Sequence, residues 1–436
     1  MHPTEPIASS STRDLPGGRA SERIRRIVVT PIAFPDPPLL NSAGAHEPLA
    51  LRSIVELETT SGIIGLGEAH GGERLTGEIA LIADAVRDLP VSAVTEAGAR
   101  AAGLLGRERA DRAFAPIEVA MLDAFAQHLG VRVVDLLGGA VRDRVEFSGY
   151  LFYKWTGHLD EDGPDEWGEV TTPRQLVQLA TTLHDRFGFR SWKLKGGVLP
   201  IAEEVAGARA VREAFPDFPV RMDPNCRWSL EAAQEVARTL RDVVEYLEDP
   251  CLGLDAMSAL RAAVDVPIAT NMLAERFDAH LPVLTARAAD VVLLDHHVVG
   301  GLRRAAALAA LCEAADIGLS MHSNSHLGIS LAAMTHLAAA VTGRVHTNDT
   351  HYPWNQDFDV IAGGPISIVD GTVALPAGPG LGVTLDRDLL AEAHERYLSS
   401  DIRERDDGAY ARRRVPEFDP TLGAWTIEQS GWMAST

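Results

Sequence analysis

The sequence predicts an α/β protein in which a barrel of parallel strands follows a smaller α+β domain. Three observations support this prediction. Between residues 146 and 375, eight short apolar runs alternate with helical stretches at intervals of about one βα unit, the pattern of a TIM-type barrel. Residues 22–145 show strand patterns first and helical patterns afterwards, as α+β domains do. The length of 436 residues accommodates both units.

The segments before the barrel carry clear local signals. Residues 1–21 are rich in Ser, Pro, Thr and Gly and lack an apolar signal-peptide core, so they are predicted to form a disordered tail. Residues 22–90 are predicted to form strands, because "RIVVTPIAF", "RSIVELET" and "GIIGLGEA" are rich in β-branched residues. A helix is predicted at 115–130, with Pro116 in its first turn and Gly130 at its end.

The barrel strands and the C-terminal segment follow in order. The eight predicted barrel strands lie in "FSGYLFY", "SWKLKGG", "PVRMDPN", "VEYLEDP", "VPIATNM", "DVVLLDHH", "GLSMHSN" and "GRVHTND". Beyond residue 376, the sequence predicts one short helix near 389–398 within an otherwise irregular segment.

Composition and charge narrow the class of protein. A net charge of -21 disfavours binding to nucleic acid or to an anionic membrane surface. It does not exclude an anionic substrate, because lysines and a metal ion reverse the field inside a site. No apolar run is long enough to cross a bilayer. The three cysteines lie far apart without paired spacing, so we expect no disulfide, no zinc site and a cytoplasmic location.

Polar side chains stand at the predicted ends of six consecutive barrel strands. The carboxyl ends of parallel strands meet on one rim of a barrel, where barrel enzymes place their catalytic groups. We therefore predict one active site formed by Lys193 and Lys195, Asp223 and Asn225, Glu248 and Asp249, Asn271, Asp295, and His322 and Asn324.

Three of these residues predict a metal site. Asp223, Glu248 and Asn271 offer hard oxygen ligands on three successive strands, and Mg²⁺ prefers such ligands. A carboxylic acid bound to Mg²⁺ has a more acidic α-proton, so bases are expected nearby. The alternative is that each residue is an ordinary strand-end cap or surface carboxylate.

Two groups are candidate bases. Lys193 and Lys195 face the same side of one strand. If that side is a pocket, their mutual repulsion would lower the pKa of one of them enough for it to act as a base near neutral pH. If it is solvent, the segment is an ordinary amphipathic edge strand. His322 stands on a later strand, and Asp295 would orient its ring and stabilise its cation.

The residues and motifs together resemble the enolase superfamily and its glucarate dehydratase branch. The resemblance rests on "HSNSHLGISLAAMTHLAAA", "THYPW", "GYLFY", "KLKGGV", "EDPC", "ATNM", "GGERL" and "PGLGVTLD". It implies a modified (β/α)₇β barrel under an α+β capping domain, built from residues 22–145 and the returning segment 376–436. It also implies a carbon–oxygen lyase, which uses Mg²⁺ to remove water from a hexarate such as D-glucarate and gives 5-keto-4-deoxyglucarate.

The resemblance also implies roles for single residues. Asp223, Glu248 and Asn271 would bind Mg²⁺. His322 would take the α-proton of glucarate, Lys195 that of the opposite epimer, and Lys193 would perturb Lys195. Substrate contacts are implied for His46, Tyr150, Lys193, Asn225, Asn271, Ser323, Asn324 and His351. His46 lies in "NSAGAHEPLALR", which would be a lid loop over the site. Members of the family commonly form homo-oligomers.

The sequence departs from the family pattern in places. Ala115 stands where a substrate-binding Thr is expected, and "DHHVV" replaces "DPHFW", which makes His297 a candidate supporting residue behind the site. The tail stretch "VPEFDPTLGAW" lacks an arginine where the family binds the distal carboxylate. These departures leave a different acid sugar as an alternative substrate. An acid-sugar racemase or epimerase, and a catalytically quiet paralogue, are the alternative functions.

Overall fold

The computed structural model of the chain describes residues 22–160 and 163–421. The tail predicted at 1–21 and the end of the C-terminal segment at 422–436 lie outside the described residues. Within the two described ranges, no helix has the length and apolarity needed to cross a membrane.

The first domain contains an antiparallel sheet covered by helices. Its elements are β1 (Ile24–Pro35), β2 (Leu39–Asn41), β3 (Gly44–Ala45), β4 (Leu49–Thr59), β5 (Ile64–His70), α1 (Glu73–Ala85), α2 (Val94–Leu105), α3 (Arg107–Leu129) and α4 (Val133–Leu136). The sheet order is β1-β4-β5. Helix α3 lies directly on β5, because Gly65 and Gly67 have no Cβ that would meet the helix backbone at Ala120 and Pro116.

Two local predictions for this domain were wrong. Helix α1 lies within the range predicted to contain only strands, and its buried Ile79, Ile82 and Ala83 follow helical spacing. Helix α3 begins at Arg107, so Pro116 lies inside the helix and not in its first turn. The charged stretch before Pro116 contains good helix formers, which carry the helix back to the turn at residue 106. Gly130 ends α3 in the left-handed conformation, as predicted.

The second unit alternates strands and helices. Its elements are β6 (Arg144–Leu151), β7 (Tyr153–Lys154), α5 (Pro173–Phe187), β8 (Trp192–Lys195), α6 (Ile201–Ala214), β9 (Val220–Asp223), α7 (Leu230–Thr239), β10 (Tyr246–Glu248), α8 (Leu254–Ala263), β11 (Ile268–Thr270), α9 (His280–Thr285), β12 (Val291–Leu294), α10 (His296–Val299), α11 (Leu302–Ala314), β13 (Gly318–Met321), α12 (Gly328–Ala340), β14 (Asn348–Asp349) and α13 (Tyr352–Asn355). Short 3₁₀ helices lie at Met272–Ala274, Phe277–Ala279 and Gln356–Phe358.

Eight parallel strands form the barrel. Strands β6 and β8 to β13 pair in chain order, and β14 pairs with β6. A parallel bridge between Leu319 and Val345 brings β13 beside the segment that leads into β14. The uniform pattern of eight βα units is wrong at its end, because β14 is followed only by the four-residue helix α13. The arrangement is therefore the (β/α)₇β variant, and the fold class is confirmed.

The C-terminal segment lies against the first domain. It contains α14 (Arg387–Ser399) and α15 (Asp407–Arg412), and it is preceded by the antiparallel pair β15 (Ile368–Val369) and β16 (Thr372–Ala374), of which β16 pairs antiparallel with the barrel strand β6. Helix α14 lies along β1, where His394 Nδ1 donates a hydrogen bond to the Pro31 carbonyl at 2.6 Å. The segment predicted as a lid loop is the β2–β3 hairpin, which pairs with β7. Gly44 of this hairpin contacts the backbone of Asp407 in α15.

Candidate active site

A cavity of about 510 Å³ lies between the capping domain and the barrel rim. Eight residues predicted for the site line it: His46, Tyr150, Lys195, Asn225, His322, Ser323, Asn324 and His351. Asn271 and Asp295 line a smaller cavity of about 70 Å³ together with His322. Lys193, Asp223 and Glu248 are fully buried. Ala115 is buried inside α3 and does not line the large cavity.

The two lysines share a face of β8, and that face is inside the barrel. Lys195 pairs in register with Asp223, and its Nζ lies 2.7 Å from Asp223 Oδ2. Lys193 Nζ lies 2.6 Å from both Glu248 Oε2 and Asp349 Oδ2. The ring of Tyr150 lies beneath both ammonium groups, at 5.1 and 5.9 Å from its centroid. The alternative of a solvent-exposed edge strand is therefore wrong.

The expected direction of the Lys195 pKa was also wrong. Burial and the positive charge of Lys193 both lower this pKa, as predicted from the sequence. The ion pair with Asp223 outweighs them, so the pKa of Lys195 is raised above its ordinary value. The same pair holds the pKa of Asp223 at about 2 despite its burial. The pKa of Lys195 is therefore not set by the neighbouring lysine alone, because the buried carboxylate of Asp223 also acts on it.

The buried oxygens at the ends of β9, β10 and β11 fit a hard divalent cation. Asn271 Oδ1 and Glu248 Oε1 are buried without a hydrogen-bond partner among the described residues. Glu248 Oε2 lies within 2.6 Å of Lys193 Nζ, so Oε1 is the less satisfied oxygen. Burial, with the negative charges of nearby carboxylates, raises the pKa of Glu248 well above its ordinary value. Unsatisfied oxygens and excess negative charge are what a Mg²⁺ ion would relieve.

The loop after β10 fixes these ligands. Asp249 has a positive φ of 40° and points its carboxylate back at the next strand end. There it accepts hydrogen bonds from the Asn271 and Met272 backbone N–H groups at 2.9 and 3.0 Å, and from the Thr270 hydroxyl. Asp249 therefore holds the Asn271 backbone in place and leaves the Asn271 side chain free for a ligand role.

A histidine–aspartate pair lies across the rim from Lys195. His322 Nδ1 is 3.2 Å from Asp295 Oδ2, and the His322 ring is partly open to the cavity. Although burial raises the pKa of Asp295, the adjacent His297 and His322 keep it well below its ordinary value. An ionised Asp295 orients the His322 ring and would stabilise its cation, as a general base requires.

Ser323 and His351 form a second ordered pair on the rim. The Ser323 hydroxyl oxygen accepts the His351 backbone N–H at 2.8 Å and lies 2.9 Å from His351 Nδ1. The hydroxyl can donate to Nδ1 or accept from it, so either tautomer of His351 fits this pair. Burial lowers the pKa of His351 well below its ordinary value, so the ring is neutral.

The far side of the cavity contains an arginine that the sequence prediction missed. The stretch 415–425 lacks a suitable arginine, but Arg405 lies earlier in the C-terminal segment and lines the cavity. Its Nη1 lies 2.9 Å from Asp36 Oδ2, and its Nε lies 2.7 Å from Asp407 Oδ1. Its Nη2 is buried without a hydrogen-bond partner among the described residues. His46 shares Asp36 as a partner, with Nδ1 at 2.9 Å from Oδ2.

Other residues at the site were not predicted from the sequence. Asp349 ends β14 and holds Lys193, and the strand-end rule applied to "GRVHTND" would have selected it. Arg52 is a charged residue within the apolar strand β4, which is itself a signal of a buried partner. His70 lines both cavities, and Asp36 ties Arg405 to His46. Neither of these two has a local sequence signal.

Comparison with known proteins agrees with this architecture. The family model "Enolase C-terminal domain-like" matches residues 175–389. A probable glucarate dehydratase from Streptomyces coelicolor is 44% identical, and the match covers 95% of this chain and 100% of that protein. The chain belongs to the enolase superfamily. A D-galactonate dehydratase from Xanthomonas oryzae pv. oryzae is 29% identical over 78% of this chain and 90% of its own. This enolase superfamily member is therefore an enzyme of the hydro-lyase class.

Solved structures of enolase superfamily proteins have the same fold. An enolase from Mycobacterium smegmatis complexed with tartrate superposes with a TM-score of 0.91 at 45% identity, covering 93% of this chain and 99% of that one. An enolase from Thermobispora bispora complexed with magnesium and formate gives 0.90 at 47% identity, covering 92% and 100%.

Proposed function

We propose that this protein is a Mg²⁺-dependent dehydratase of hexarates, of the glucarate dehydratase type. The observation that carries the proposal is the order of groups around the rim. The oxygen ligands Asp223, Glu248 and Asn271 follow three neighbouring strands, and the strands of Lys195 and His322 lie on either side of them. The magnesium in a related structure and the name of the Streptomyces coelicolor relative support the same reaction.

Each of these residues has a separate role in the proposed reaction. Mg²⁺ held by Asp223, Glu248 and Asn271 would bind the substrate carboxylate and make the adjacent C–H bond more acidic. His322 accepts the α-proton at Nε2 while Asp295 stabilises the resulting cation. The same proton then goes to the departing β-hydroxyl, which leaves as water. The remaining enol then tautomerises: its O–H proton is lost to solvent, a proton from solvent is added at the β-carbon, and the keto-deoxy acid results.

Lys195 has a role that depends on its charge. As an ammonium group on Asp223 it lies beside the position of developing negative charge. For the epimer whose α-proton faces the other side, Lys195 must first lose its proton and then acts as the base. Lys193 is too buried to reach the substrate α-carbon, so it tunes the field around Lys195 and Glu248.

The far end of the cavity supports a dicarboxylate substrate. Arg405 offers the unpartnered Nη2 donor, and His46 lies beside it on the lid hairpin. The cavity of about 510 Å³ has room for a six-carbon acid. Since Arg405 supplies a cation that the sequence prediction had considered missing, a hexarate is the substrate class we favour over an aldonate.

An epimerase is the second candidate. Two basic side chains face one cavity, and such a pair can remove a proton from one face and return it to the other. Dehydration additionally requires acid assistance to the β-hydroxyl, which His322 can provide. A catalytically quiet paralogue would have no need for the buried charges around Lys193, because burying charged groups carries a desolvation cost.

The test is a screen of the purified protein with Mg²⁺ against D-glucarate, L-idarate, galactarate and common aldonates. Keto-acid formation and α-proton exchange in D₂O are measured together. We expect keto acid from a hexarate, and a loss of about 10²- to 10⁴-fold in Lys195→Ala or His322→Ala. The exposed Arg238→Ala on α7 is the control. Exchange without keto acid would indicate the epimerase, and no exchange with any acid would refute both.

The compartment and the assembly remain predictions. We propose a reducing cytoplasm, which the free thiols of Cys226, Cys251 and Cys312 support. A homo-oligomer stays an expectation from the family resemblance.

A further inference from the structure

Arg52 is a buried arginine that joins the capping domain to the catalytic rim. It lies on β4 and is 1% exposed. Its Nε donates to Glu68 Oε1 on the neighbouring strand β5 at 2.8 Å. Glu68 also accepts the backbone N–H groups of Leu327 and Ser330 from the barrel at 2.9 and 2.8 Å. The charge of Arg52 is thereby compensated inside the protein.

The other two nitrogens of Arg52 reach the rim. Nη1 donates to Asn324 Oδ1 at 3.1 Å, and Nη2 lies 3.2 Å from both His297 Nε2 and Ser330 Oγ. A guanidinium group only donates hydrogen bonds. His297 Nε2 must therefore be the acceptor, and the Ser330 hydroxyl, 2.8 Å from the same nitrogen, can donate to it as well. The amide oxygen of Asn324 is likewise fixed on Arg52, which leaves its NH₂ group for the cavity.

Because His297 Nε2 accepts a hydrogen bond, the donors and acceptors of the hydrogen bonds from His297 to Asp295 and His322 follow. A neutral His297 then carries its hydrogen on Nδ1 and donates it to Asp295 Oδ1 at 2.8 Å. The His297 backbone N–H donates to the same oxygen at 2.9 Å. Because Oδ1 is occupied twice, Oδ2 is left for His322 Nδ1 at 3.2 Å. His322 therefore carries its hydrogen on Nδ1 and keeps the bare Nε2 that a base needs.

We propose that Arg52 is a positioning residue, which sets the tautomer of His322 through His297 and Asp295. The relay Arg52–His297–Asp295–His322 makes proton abstraction by His322 depend on the capping domain. Lys195 has no contact with the relay among the described hydrogen bonds and ion pairs, because it is held by Asp223. The role of the relay in catalysis rests on the proposed function, whereas the tautomer of His322 does not.

A metal site is the alternative use of this cluster. Asp295, His296 and His297 place ligand atoms close to one another. Both ring nitrogens of His297 already have hydrogen-bond partners, and the Arg52 cation lies 3.2 Å from one of them. A cation there would have to displace these bonds and face a fixed positive charge, so the hydrogen-bond relay is the better use of the cluster.

The test compares the two faces of the substrate. Arg52→Lys keeps a positive charge for Glu68 but loses the donors to Asn324 and His297. The control is Arg396→Lys, which changes another capping-domain arginine; among the described residues, Arg396 donates to the Ala33 carbonyl and to Glu392. Exchange of the α-proton that His322 removes should fall about 10- to 100-fold in Arg52→Lys, as for other lost orienting partners. Exchange of the opposite epimer by Lys195 should change less than about threefold. Equal losses on both faces would overturn the proposal.

Two further variants test the relay at His297, so that the test does not depend on whether Arg52→Lys folds. His297→Phe removes the donor to Asp295 and should repeat the selective loss. His297→Asn keeps an amide N–H near the position of Nδ1 and should recover most of the exchange rate. Failure of this rescue, with both variants folded, would contradict the relay.

A direct readout separates the relay from the proposed reaction. The ¹⁵N chemical shifts of the His322 ring, assigned by their loss in His322→Gln, report which nitrogen carries the hydrogen. Above neutral pH we expect Nδ1–H in the native protein and a tautomer mixture in Arg52→Lys. Nε2–H in the native protein would refute the relay. If the native protein exchanges no acid sugar but shows the expected tautomer, the proposed function fails and the positioning role stands.

Discussion

Replacing Arg405 with alanine should remove the preference for dicarboxylate acid sugars. The side chain lines the cavity on the capping-domain side, where Asp36 and Asp407 hold two of its three nitrogens. Nη2 remains buried without a partner among the described residues. A buried donor of this kind on a cation is suited to an anionic ligand group, and under the proposed function that group would be the distal carboxylate of a hexarate.

The size of the effect follows from one charge-assisted hydrogen bond. Such a bond contributes about 1.5–3 kcal/mol. At about 1.4 kcal/mol per factor of ten, kcat/KM for a hexarate should fall by about 10- to 150-fold. An aldonate has no distal carboxylate, so its kcat/KM should change less than about threefold. Asp36 keeps His46, Ser325 and Asn355 as partners, so the lid hairpin should stay in place.

The assay is keto-acid formation at saturating Mg²⁺ with a hexarate and an aldonate of matched configuration near the metal. Arg413→Ala is the matched control, because Arg413 follows α15 directly but lies at the surface, where it pairs with Asp160 and stacks over the Tyr410 ring. Thermal unfolding of each variant shows whether the fold is intact. Equal losses for both substrates, or no loss for the hexarate, would refute the assignment of Arg405 to the distal carboxylate.

Three other perturbations test separate parts of the structure. Glu248→Gln should abolish the calorimetric signal of Mg²⁺ binding, whereas the exposed Glu235→Gln should retain it; equal affinity in both would remove Glu248 from the metal site. Burial raises the pKa of Glu118 to about 7, so its contribution of about 3 kcal/mol to stability is present below pH 4.5 and lost as pH rises through about 7. Glu118→Gln should therefore flatten the fall in Tm between about pH 5 and 7.5, and an unchanged slope would contradict this. Gly44→Ala should lower Tm more than Gly62→Ala, because both have positive φ but only Gly44 contacts the C-terminal backbone; equal losses would show that φ alone matters.

The barrel was predictable because its signal is local and repeated. Each unit contains an apolar strand, a polar strand end and an amphipathic helix, and these periods can be recognised without tertiary information. The last unit lacks a full helix, and its strand β14 has only two residues. Nothing in "GRVHTND" itself indicates that truncation. After α13 the chain forms β15 and β16 instead of a long helix, and β16 pairs antiparallel with the first barrel strand β6.

The site residues at the barrel strand ends could be predicted from the sequence, whereas the contacts between the two domains could not. Asp223, Glu248 and His322 each end or follow a strand, so their proximity follows from barrel geometry. Arg405 pairs with Asp36 from the opposite end of the chain, and no spacing rule connects them. The predicted direction of the Lys195 pKa shift was wrong for a similar reason. The sequence places Lys193 beside Lys195, but it does not show that Asp223 on the next strand pairs with Lys195.

The buried charges of the inner rim indicate which kind of cation fits the site. The buried rim groups are four carboxylates and two ammonium groups: Asp223, Glu248, Asp249, Asp349, Lys193 and Lys195. The nearby Arg221 is already paired with Glu245 at 2.7 Å. A doubly charged cation would neutralise the rim, whereas a singly charged one would not. Under the proposed function, one carboxylate of a hexarate would lie at this rim and the other at Arg405, so groups from both domains would contact one substrate.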